Sequence, residues 1–521
     1  MTQFDLATLH EAIAAAVPDR ECLVWRDRRA TWRSVTERTR RLGNLLHSRG
    51  LGPGARMAVY LHNGPEYLEA LLGAHKARVT PFNVNYRYTT DELAYLFADA
   101  APSAVVFHAA FAPLVAKVAP PSALLLQVMD DTGHPLVPGA LPYEEALAAA
   151  SPGPVPVTPS PDDAHIIYTG GTTGMPKGVV WRIGDLLDGP VGVRRRDGSS
   201  FPTLAALVEH AAASRRRILP AAPLMHGTGV WFTLNGWCLG STVVIADRVD
   251  RFDAPSLLAT LERERVTGTV IVGDAFARPL VEELQSRRYD LSLGMIGTSG
   301  AFLGEALRAR LTELIPGIRT VDTLGSSETG NSAVRMDGGR FEAGPWTVVL
   351  SADQTRVLSP GDPEEGWLAR SGPIPLGYLG DPEKTARTFR TIGGVRYAIP
   401  GDRAIWRPDG TVDLHGREAT VINTAGEKVF AEEVEGVLRE VEGVVDALVV
   451  GRPSERWGQE VVAVVQTEKP GDPDDTALKS ACAARLAGFK VPKQFVRAEE
   501  VRRHANGKAD YAWAKSVVTS D

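Results

Sequence analysis

The sequence has few cysteines and lacks the features of secreted, membrane-spanning and zinc-hydrolase proteins. Its 521 residues include three cysteines, Cys22, Cys238 and Cys482, whose wide separation fits neither a disulfide framework nor metal-ligand spacing. No window of about 18 residues is apolar throughout, and the acidic start of the chain is unlike a signal peptide. No H-E-x-x-H pair is present. We therefore expect a cytoplasmic protein with no integral membrane segment.

Positive charge is not in excess either. The chain has 63 acidic and 57 basic residues and a net charge of −6, which argues against a nucleic acid as partner. A hydrophobic content of 44% with 23% charged residues is typical of a globular protein. Because 521 residues exceed the size of one ordinary hydrophobic core, we expect two or more domains.

The N-terminal part alternates between helical and extended patterns. A capped amphipathic helix is predicted over Thr31–Gly50 and a second helix over Pro65–Lys76. Strands are predicted at Arg56–Leu61 and Ala104–Phe107. Such alternation predicts an α/β domain with a mainly parallel sheet. The proline-rich segment Ser151–Asp162 is predicted to be an extended linker.

The stretch Tyr168–Gly178, with the sequence YTGGTTGMPKG, is rich in glycine and threonine and lies between apolar pairs. Such a loop can bring backbone N–H groups and hydroxyls close to a phosphate, since glycine removes the steric barrier to close approach. Its spacing differs from both G-x-x-x-x-G-K-[ST] and G-x-G-x-x-G. It predicts a phosphate-binding loop between strands, with a flexible surface turn as the alternative. The segment Trp181–Leu219 is predicted to be irregular.

Four more motifs follow in order, at Asp322–Thr329, Tyr397–Asp402, Gly416-Arg417 and Asn506–Lys508. Together with the glycine-rich stretch they resemble the adenylate-forming superfamily of acyl- and aryl-CoA synthetases, firefly luciferase and peptide-synthetase adenylation domains. The sequences of these motifs are most similar to those of actinobacterial acyl-CoA synthetases, a group that includes sterol-side-chain CoA ligases. The resemblance implies a mixed α/β and α+β fold. A large domain of layered sheets and helices would span residues 1–417, and a small mobile α+β domain residues 418–521, with a hinge at Ala419.

The resemblance also implies roles for individual residues. Contacts to ATP or CoA are implied for Thr169, Gly170, Gly171, Thr172, Thr173, Gly174, Lys177, Gly300, Ala301, Asp322, Leu324, Ser327, Asp402, Arg417, Gly426 and Glu427. The acyl pocket is implied for His226, Gly229, Val230, Trp231, Gly273, Asp274, Ser299, Gly325 and Ser326. Catalysis is implied for Lys508, Glu328, Thr172 and Thr173, and Mg²⁺ binding for Glu328 and Thr173, because a hard cation prefers oxygen ligands.

The resemblance therefore implies a ligase that joins a carboxylic acid to CoA through acyl-AMP, using ATP, Mg²⁺ and CoA. The pocket stretches 225–234, 273–277 and 299–302 are largely apolar, which favours a bulky polycyclic or long aliphatic acid. Two alternatives stay open: an enzyme that loads a carrier protein, and a relative that only converts acyl-AMP to acyl-CoA. The second is motivated by Leu324, where the family has an aromatic, and by Ala419. A homodimer is possible.

Overall fold

The computed structural model describes residues 4–171, 174–195, 197–301, 303–417, 421–424, 427–454, 458–470, 472–486, 488–504, 507 and 509–519. Within these ranges no helix is both long and apolar enough to cross a membrane.

Strands and helices alternate through the first half of the chain, and strands dominate from residue 319 to 430. The strands, in chain order, are β1 (Glu21–Trp25), β2 (Arg28–Thr31), β3 (Arg56–Tyr60), β4 (Thr80–Asn83), β5 (Ala104–His108), β6 (Leu124–Val128), β7 (Leu141–Pro142), β8 (Ala164–Gly171), β9 (Gly174–Arg182), β10 (Arg217–Pro220), β11 (Thr242–Ile245), β12 (Gly268–Ile271), β13 (Met295–Ser299), β14 (Arg319–Ser326), β15 (Gly330–Met336), β16 (Phe341–Ala343), β17 (Thr347–Leu350), β18 (Gly366–Arg370), β19 (Gly377–Tyr378), β20 (Phe389–Ile392), β21 (Val395–Ala398), β22 (Asp402–Trp406), β23 (Thr411–Arg417), β24 (Val421–Thr424), β25 (Glu427–Phe430), β26 (Val444–Ser454), β27 (Gly458–Thr467) and β28 (Gln494–Arg497). The α-helices are α1 (Leu6–Ala16), α2 (Trp32–Ser48), α3 (Pro65–Lys76), α4 (Thr90–Ala100), α5 (Ala112–Val118), α6 (Tyr143–Ala149), α7 (Ile183–Asp188), α8 (Leu204–Ala213), α9 (Gly227–Cys238), α10 (Ala254–Arg263), α11 (Gly273–Ser286), α12 (Glu305–Leu314), α13 (Pro382–Thr388), α14 (Ala431–Arg439), α15 (Asp475–Arg485) and α16 (Tyr511–Thr519), and a short 3₁₀ helix spans Ala109–Phe111.

The first sheet has the strand order β19-β9-β8-β4-β3-β5-β6-β7. Its strands from β8 to β7 are parallel, as the alternating sequence pattern predicts, whereas β9 and β19 are antiparallel to their neighbours. Helix α2 begins where its N-cap, Thr31, accepts a hydrogen bond from the Ser34 N–H (3.2 Å). Helix α3 has Pro65 at its first position, where the missing N–H costs nothing.

The second sheet is longer and has two parts. Its order is β2-β1-β11-β10-β12-β13-β14-β15-β16-β23-β22-β18-β21-β20, with β17 paired to β18. The strands from β1 through β14 are parallel, and those beyond β14 are antiparallel. One hydrophobic core contains Leu23 of β1, Val59 of β3, Val243 of β11 and Trp32 of α2, and it therefore joins the two large sheets through the helices between them.

The C-terminal sheet has the order β25-β24-β27-β26, with β28 paired to β27. Along β26, Ala447 and Val449 enter one core with α14 and α15, and Leu448 and Val450 enter another with α16. Because successive side chains of a strand point to opposite faces, this continuous apolar run covers both sides of the sheet. The predicted domain boundary at residues 417 and 418 stays a prediction.

The segment 181–219 differs from its sequence-based prediction. The prediction that it is irregular is wrong, because it contains α7, α8 and β10. Helix α8 is N-capped by Thr203, whose hydroxyl accepts a hydrogen bond from the Ala206 N–H (3.2 Å). The helix buries Leu207 and Ala211. Its alanine-rich sequence has too few large apolar residues for a clear helical periodicity.

Candidate active site

The predicted phosphate loop is a β-hairpin. Thr169 is paired with Lys177 and Gly171 with Gly174 in the register of β8 and β9. The strands therefore extend further into the glycine-rich stretch than a loop prediction implies. Thr172 and Thr173 lie outside the described residues, so their predicted phosphate and metal contacts stay predictions.

A buried asparagine fixes this hairpin to the next part of the site. Asn83 Oδ1 accepts from the Tyr168 N–H (2.8 Å), and its Nδ2 donates to the carbonyl oxygens of Tyr168 (2.9 Å) and Met225 (2.7 Å). Met225 precedes His226, the residue that N-caps α9. Sequence reasoning missed Asn83, because no local motif surrounds it.

Glu328 lies in a tight turn between β14 and β15. The Ser326 hydroxyl accepts hydrogen bonds from the backbone N–H groups of Glu328 and Thr329, each at 3.2 Å. The indole N–H of Trp181, on β9, donates to the Ser327 carbonyl (3.0 Å). The turn is therefore held directly against the strand that carries Lys177.

Two residues that the sequence did not indicate, Tyr378 and Lys384, lie beside the Glu328 turn. Strand β19 pairs with β9, placing Tyr378 opposite Val179, and the Tyr378 hydroxyl donates to Glu328 Oε1 (2.8 Å). Lys384, on α13, has its ammonium 4.4 Å from the centre of the Tyr378 ring. Burial lowers the pKa of Lys384 to about 8, the neighbouring ammonium of Lys177 adds to this, and Glu328 opposes it.

These contacts bring two lysines and one carboxylate together beside the glycine-rich end of the hairpin. Two neighbouring ammonium groups repel each other, and an anion bound between them offsets this repulsion. The region around Lys177, Lys384 and Glu328 is therefore suited to a phosphate chain with a bound cation. No sequence signal indicated Tyr378 or Lys384, because β19 is nearly 200 residues from β9 and lies in a short segment without a motif.

The predicted acyl residues gather at the start of α9. An added Cβ at Gly229 would lie 2.3 Å from the Pro223 carbonyl oxygen, so only glycine fits there. Val230 and Trp231 are buried and His226 is half-buried. A narrow, mostly apolar cavity adjoins this segment. Its lining residues, from α3, β4, β8 and the start of α9, are Tyr67, Leu71, Asn83, His165, Ile167, Leu224, Met225, His226 and Val230.

The ends of β12 and β13 face the same region. The Gly273 N–H donates to the Thr298 hydroxyl (2.8 Å), tying the start of α11 to β13. Gly300 has a positive φ of 82°, and a Cβ there would lie 3.6 Å from the Thr228 hydroxyl. The Asp274 carboxylate accepts a hydrogen bond from the Gly304 N–H (2.7 Å). The predicted residues Ser299, Gly300 and Ala301 thus lie beside α9.

The predicted nucleotide residues Asp322 and Leu324 lie on β14, and Asp402 begins β22. Asp322 is buried, and its Oδ2 accepts from Arg308 Nη2 (2.5 Å) and Arg335 Nε (2.6 Å). Leu324 is partly buried against the core of the antiparallel strands, and Gly325 is paired with Asn331. Asp402 is buried and stands opposite Arg417 in the register of β22 and β23. The predicted nucleotide contacts of these residues stay predictions.

The loop that carries the predicted catalytic lysine reaches the start of α11. Gly507 is buried, and a Cβ added to it would lie 3.0 Å from Cγ1 of Val272, the residue just before α11. Lys508 itself, the predicted hinge Ala419 and the predicted CoA residue Gly426 lie outside the described residues. Glu427 begins β25, where it is paired with Thr424.

Two family models and several curated relatives match this chain. The AMP-binding enzyme model matches residues 10–373, and the AMP-binding enzyme C-terminal domain model matches residues 433–508. The medium-chain acyl-CoA ligase Mig of Mycobacterium avium is 44% identical, over 100% of this chain and 99% of that protein. The medium/long-chain-fatty-acid–CoA/3-oxocholest-4-en-26-oate–CoA ligase of Mycobacterium marinum is 38% identical, over 98% of this chain and 96% of that protein. The 3-oxocholest-4-en-26-oate–CoA ligase of Rhodococcus rhodochrous is 35% identical, over 98% and 95%.

Solved structures share the fold at low sequence identity. The anthranilate CoA ligase AuaEII in complex with anthranoyl-AMP has a TM-score of 0.84 at 19% identity, covering 99% of this chain and 97% of that chain. The fatty acyl CoA synthetase of Mycobacterium tuberculosis has a TM-score of 0.73 at 22% identity, covering 99% and 98%. The chain therefore belongs to the AMP-binding enzyme family and is an ATP-dependent, AMP-forming acyl-CoA ligase.

Proposed function

We propose that this ligase activates a bulky apolar carboxylic acid, either a medium- to long-chain aliphatic acid or a polycyclic steroid- or terpenoid-like acid. The acid would react with ATP to form acyl-AMP, and the CoA thiol would then displace AMP. The observation that carries the proposal is the convergence of the phosphate hairpin, the Glu328 turn and the loop next to Lys508 around the start of α9.

The acyl side of the site supports an apolar substrate. The cavity beside α9 is small, but its lining is mostly apolar and aromatic, which favours an apolar over a charged acyl group. An amino acid substrate would need an acidic partner for its ammonium group, and Asp274 is the acidic residue of the predicted acyl pocket. Its carboxylate is instead engaged by the Gly304 N–H. The full-length relatives are named for fatty acids and for a steroid acid, and both are bulky apolar acids.

The phosphate side of the site fits ATP with Mg²⁺. Glu328 Oε1 is oriented by Tyr378, and Oε2 makes no hydrogen bond with the described residues, so it remains for a cation. Glu328 would hold Mg²⁺ together with Thr173 and oxygens of ATP, and the cation would neutralise phosphate charge. Lys177 and Lys384 would bind the phosphates that leave as pyrophosphate. Asp402, as a carboxylate, would accept hydrogen bonds from the ribose hydroxyls.

Two half-reactions with different chemistry suggest that the small domain alternates between two orientations about Ala419. In one, the loop with Lys508 would face the acyl site, and the contact of Gly507 with Val272 supports this orientation. In the other, Gly426 and Glu427 would line the path of the CoA arm. Catalysis of the first step would rest on positioning and charge stabilisation.

Paired half-reaction assays test this proposal. The enzyme is incubated with ATP, Mg²⁺ and a panel of acids without CoA, and separately with synthetic acyl-AMP and either CoA or an acyl carrier protein. We expect acyl-AMP with the bulky apolar acids and thioester with CoA. Faster reaction with acetate or an amino acid would contradict the substrate class. Thioester formation on the carrier protein alone, or from supplied acyl-AMP alone, would favour one of the two alternatives.

Replacement of Lys384 by glutamine should weaken ATP binding. It removes one charge-assisted contact to phosphate from a half-buried side chain, which is worth roughly 1.5 kcal/mol, so the KM for ATP should rise about tenfold. Arg387→Gln is the matched control, since Arg387 is an exposed cation on the same helix. Steady-state pyrophosphate release at varied ATP measures both variants. Equal KM values for Lys384→Gln and wild type would remove Lys384 from the phosphate site.

Replacement of Glu328 by glutamine should raise the Mg²⁺ concentration needed for adenylation and leave the fold intact. The amide keeps the shape of the side chain and an oxygen for the Tyr378 hydroxyl, but it lacks the negative charge that a divalent cation requires. We expect the midpoint of a Mg²⁺ titration to rise by at least about tenfold. A Tyr378→Phe variant, which keeps the carboxylate, should shift it much less. A wild-type curve for Glu328→Gln would exclude a metal contact.

A further inference from the structure

The loop before Lys508 is a short hairpin docked on the large domain. Arg503 and Ala509 form an isolated antiparallel bridge, and the Gly507 N–H donates to the His504 carbonyl (2.8 Å). Gly507 has a positive φ of 77° and packs on Val272. Because Lys508 is the next residue, the position of this hairpin determines where the predicted catalytic ammonium can reach.

A bidentate ion pair within the small domain holds the hairpin. Arg503 Nε donates to Asp446 Oδ2 (2.5 Å) and Nη2 to Asp446 Oδ1 (2.7 Å). The third guanidinium nitrogen, Nη1, donates to the Gly507 carbonyl (3.2 Å). A bidentate arginine–carboxylate pair fixes orientation as well as distance. Asp446 on β26 therefore sets the position of the turn through Arg503.

A hydrogen bond between the domains links α11 to β26, the strand that carries Asp446. Arg278 Nη2, on α11, donates to the carbonyl of Val445, the residue before Asp446 (3.1 Å). Helix α11 begins directly after Val272, on which Gly507 packs. The contacts thus form a closed path from α11 through Arg278, β26, Asp446 and Arg503 to Gly507, and back to Val272. We call this path the interdomain clamp.

We propose that Arg278, Asp446 and Arg503 are positioning residues that hold the Lys508 hairpin in the orientation for acyl-AMP formation. This rests on the proposed function, in which Lys508 acts in the first half-reaction alone. Among the described residues of the small domain, Arg278 hydrogen-bonds to the Val445 carbonyl alone, and that hydrogen bond must break when the domain rotates. The Asp446–Arg503 pair lies within the small domain and can persist through the rotation.

The test compares Arg278→Ala, Asp446→Asn and Arg503→Lys in both half-reactions of the full-length enzyme. We expect acid-dependent ATP–pyrophosphate exchange to fall about tenfold or more in each, since each loses a charge-assisted hydrogen bond. Thioester formation from supplied acyl-AMP and CoA should stay within about twofold of wild type. Arg497→Ala is the matched control, because Arg497 pairs with Asp475 on the surface of the same domain (2.5 Å). It should change neither rate.

A second measurement does not depend on turnover. Hydrogen exchange of the segment 503–510 in the nucleotide-free protein should accelerate in Arg278→Ala and Asp446→Asn and stay unchanged in Arg497→Ala. Equal loss of both half-reactions, or unchanged exchange in both variants, would overturn the proposal. Absence of acyl-AMP formation by the wild type would instead contradict the proposed first step. In that case the hydrogen-exchange experiment would still test the interdomain clamp by itself.

Discussion

Replacement of Lys508 by alanine should reduce acyl-AMP formation by roughly 10³-fold and leave the conversion of supplied acyl-AMP to acyl-CoA nearly intact. The resemblance places this ammonium between the substrate carboxylate and the α-phosphate, where negative charge builds up in the transition state. An interaction made mainly in the transition state affects the rate constant of that step more than the binding of ATP. The neighbouring Gly507 packs on Val272, next to the acyl site, which supports this assignment.

A pyrophosphate-exchange assay and a thioester assay with synthetic acyl-AMP measure the two steps separately. Lys515→Ala is the matched control, since Lys515 is an exposed lysine on α16 of the same domain, and both of its rates should equal those of wild type. Equal damage to both half-reactions by Lys508→Ala would contradict a role confined to adenylation. An exchange rate within a few-fold of wild type would show that the catalytic lysine has been misassigned.

Replacement of Asp322 by alanine should lower the free energy of unfolding by about 3–5 kcal/mol. The Asp322 carboxylate is buried between Arg308 and Arg335, and Arg308 is itself 4% exposed. Removal of the carboxylate takes away the buried counterion that the two guanidinium groups share, and the exposed Glu305 compensates the buried charge of Arg308 only weakly. The cost of an uncompensated buried charge is what makes this the largest stability effect that we expect.

Urea unfolding of the full-length protein measures this effect. Glu305→Ala is the control, because Glu305 pairs with the same two arginines (3.3 and 3.6 Å) from an exposed position and should cost about 0–1 kcal/mol. Unfolding of Asp322→Ala at the wild-type urea concentration would contradict the structural role. A raised KM for ATP in the folded variant would in addition support the predicted nucleotide contact, since Asp322 Oδ1 accepts no hydrogen bond from the described residues.

The sequence by itself determined the family and most of the local structure. The helix predicted over Pro65–Lys76 has these bounds in the structure, and the strand predicted over Ala104–Phe107 extends one residue further, to His108. Their signals are local, because a proline at the first helical position or a short β-branched run acts through the backbone of the segment itself. The ordered motifs likewise identified an AMP-forming ligase, since each keeps its chemistry within a few consecutive residues.

Only the tertiary structure decided which distant residues share the site. Tyr378 reaches Glu328 because β19 pairs with β9. Lys384 lies beside Tyr378 because α13 begins just after β19. Asp446 reaches Arg503 across the sheet of the small domain, and Arg278 reaches Val445 across the two domains. A side chain carries no local signal for a partner that strand pairing or domain docking brings to it. The periodicity of a segment reports its own backbone, whereas these contacts depend on how separate elements pack.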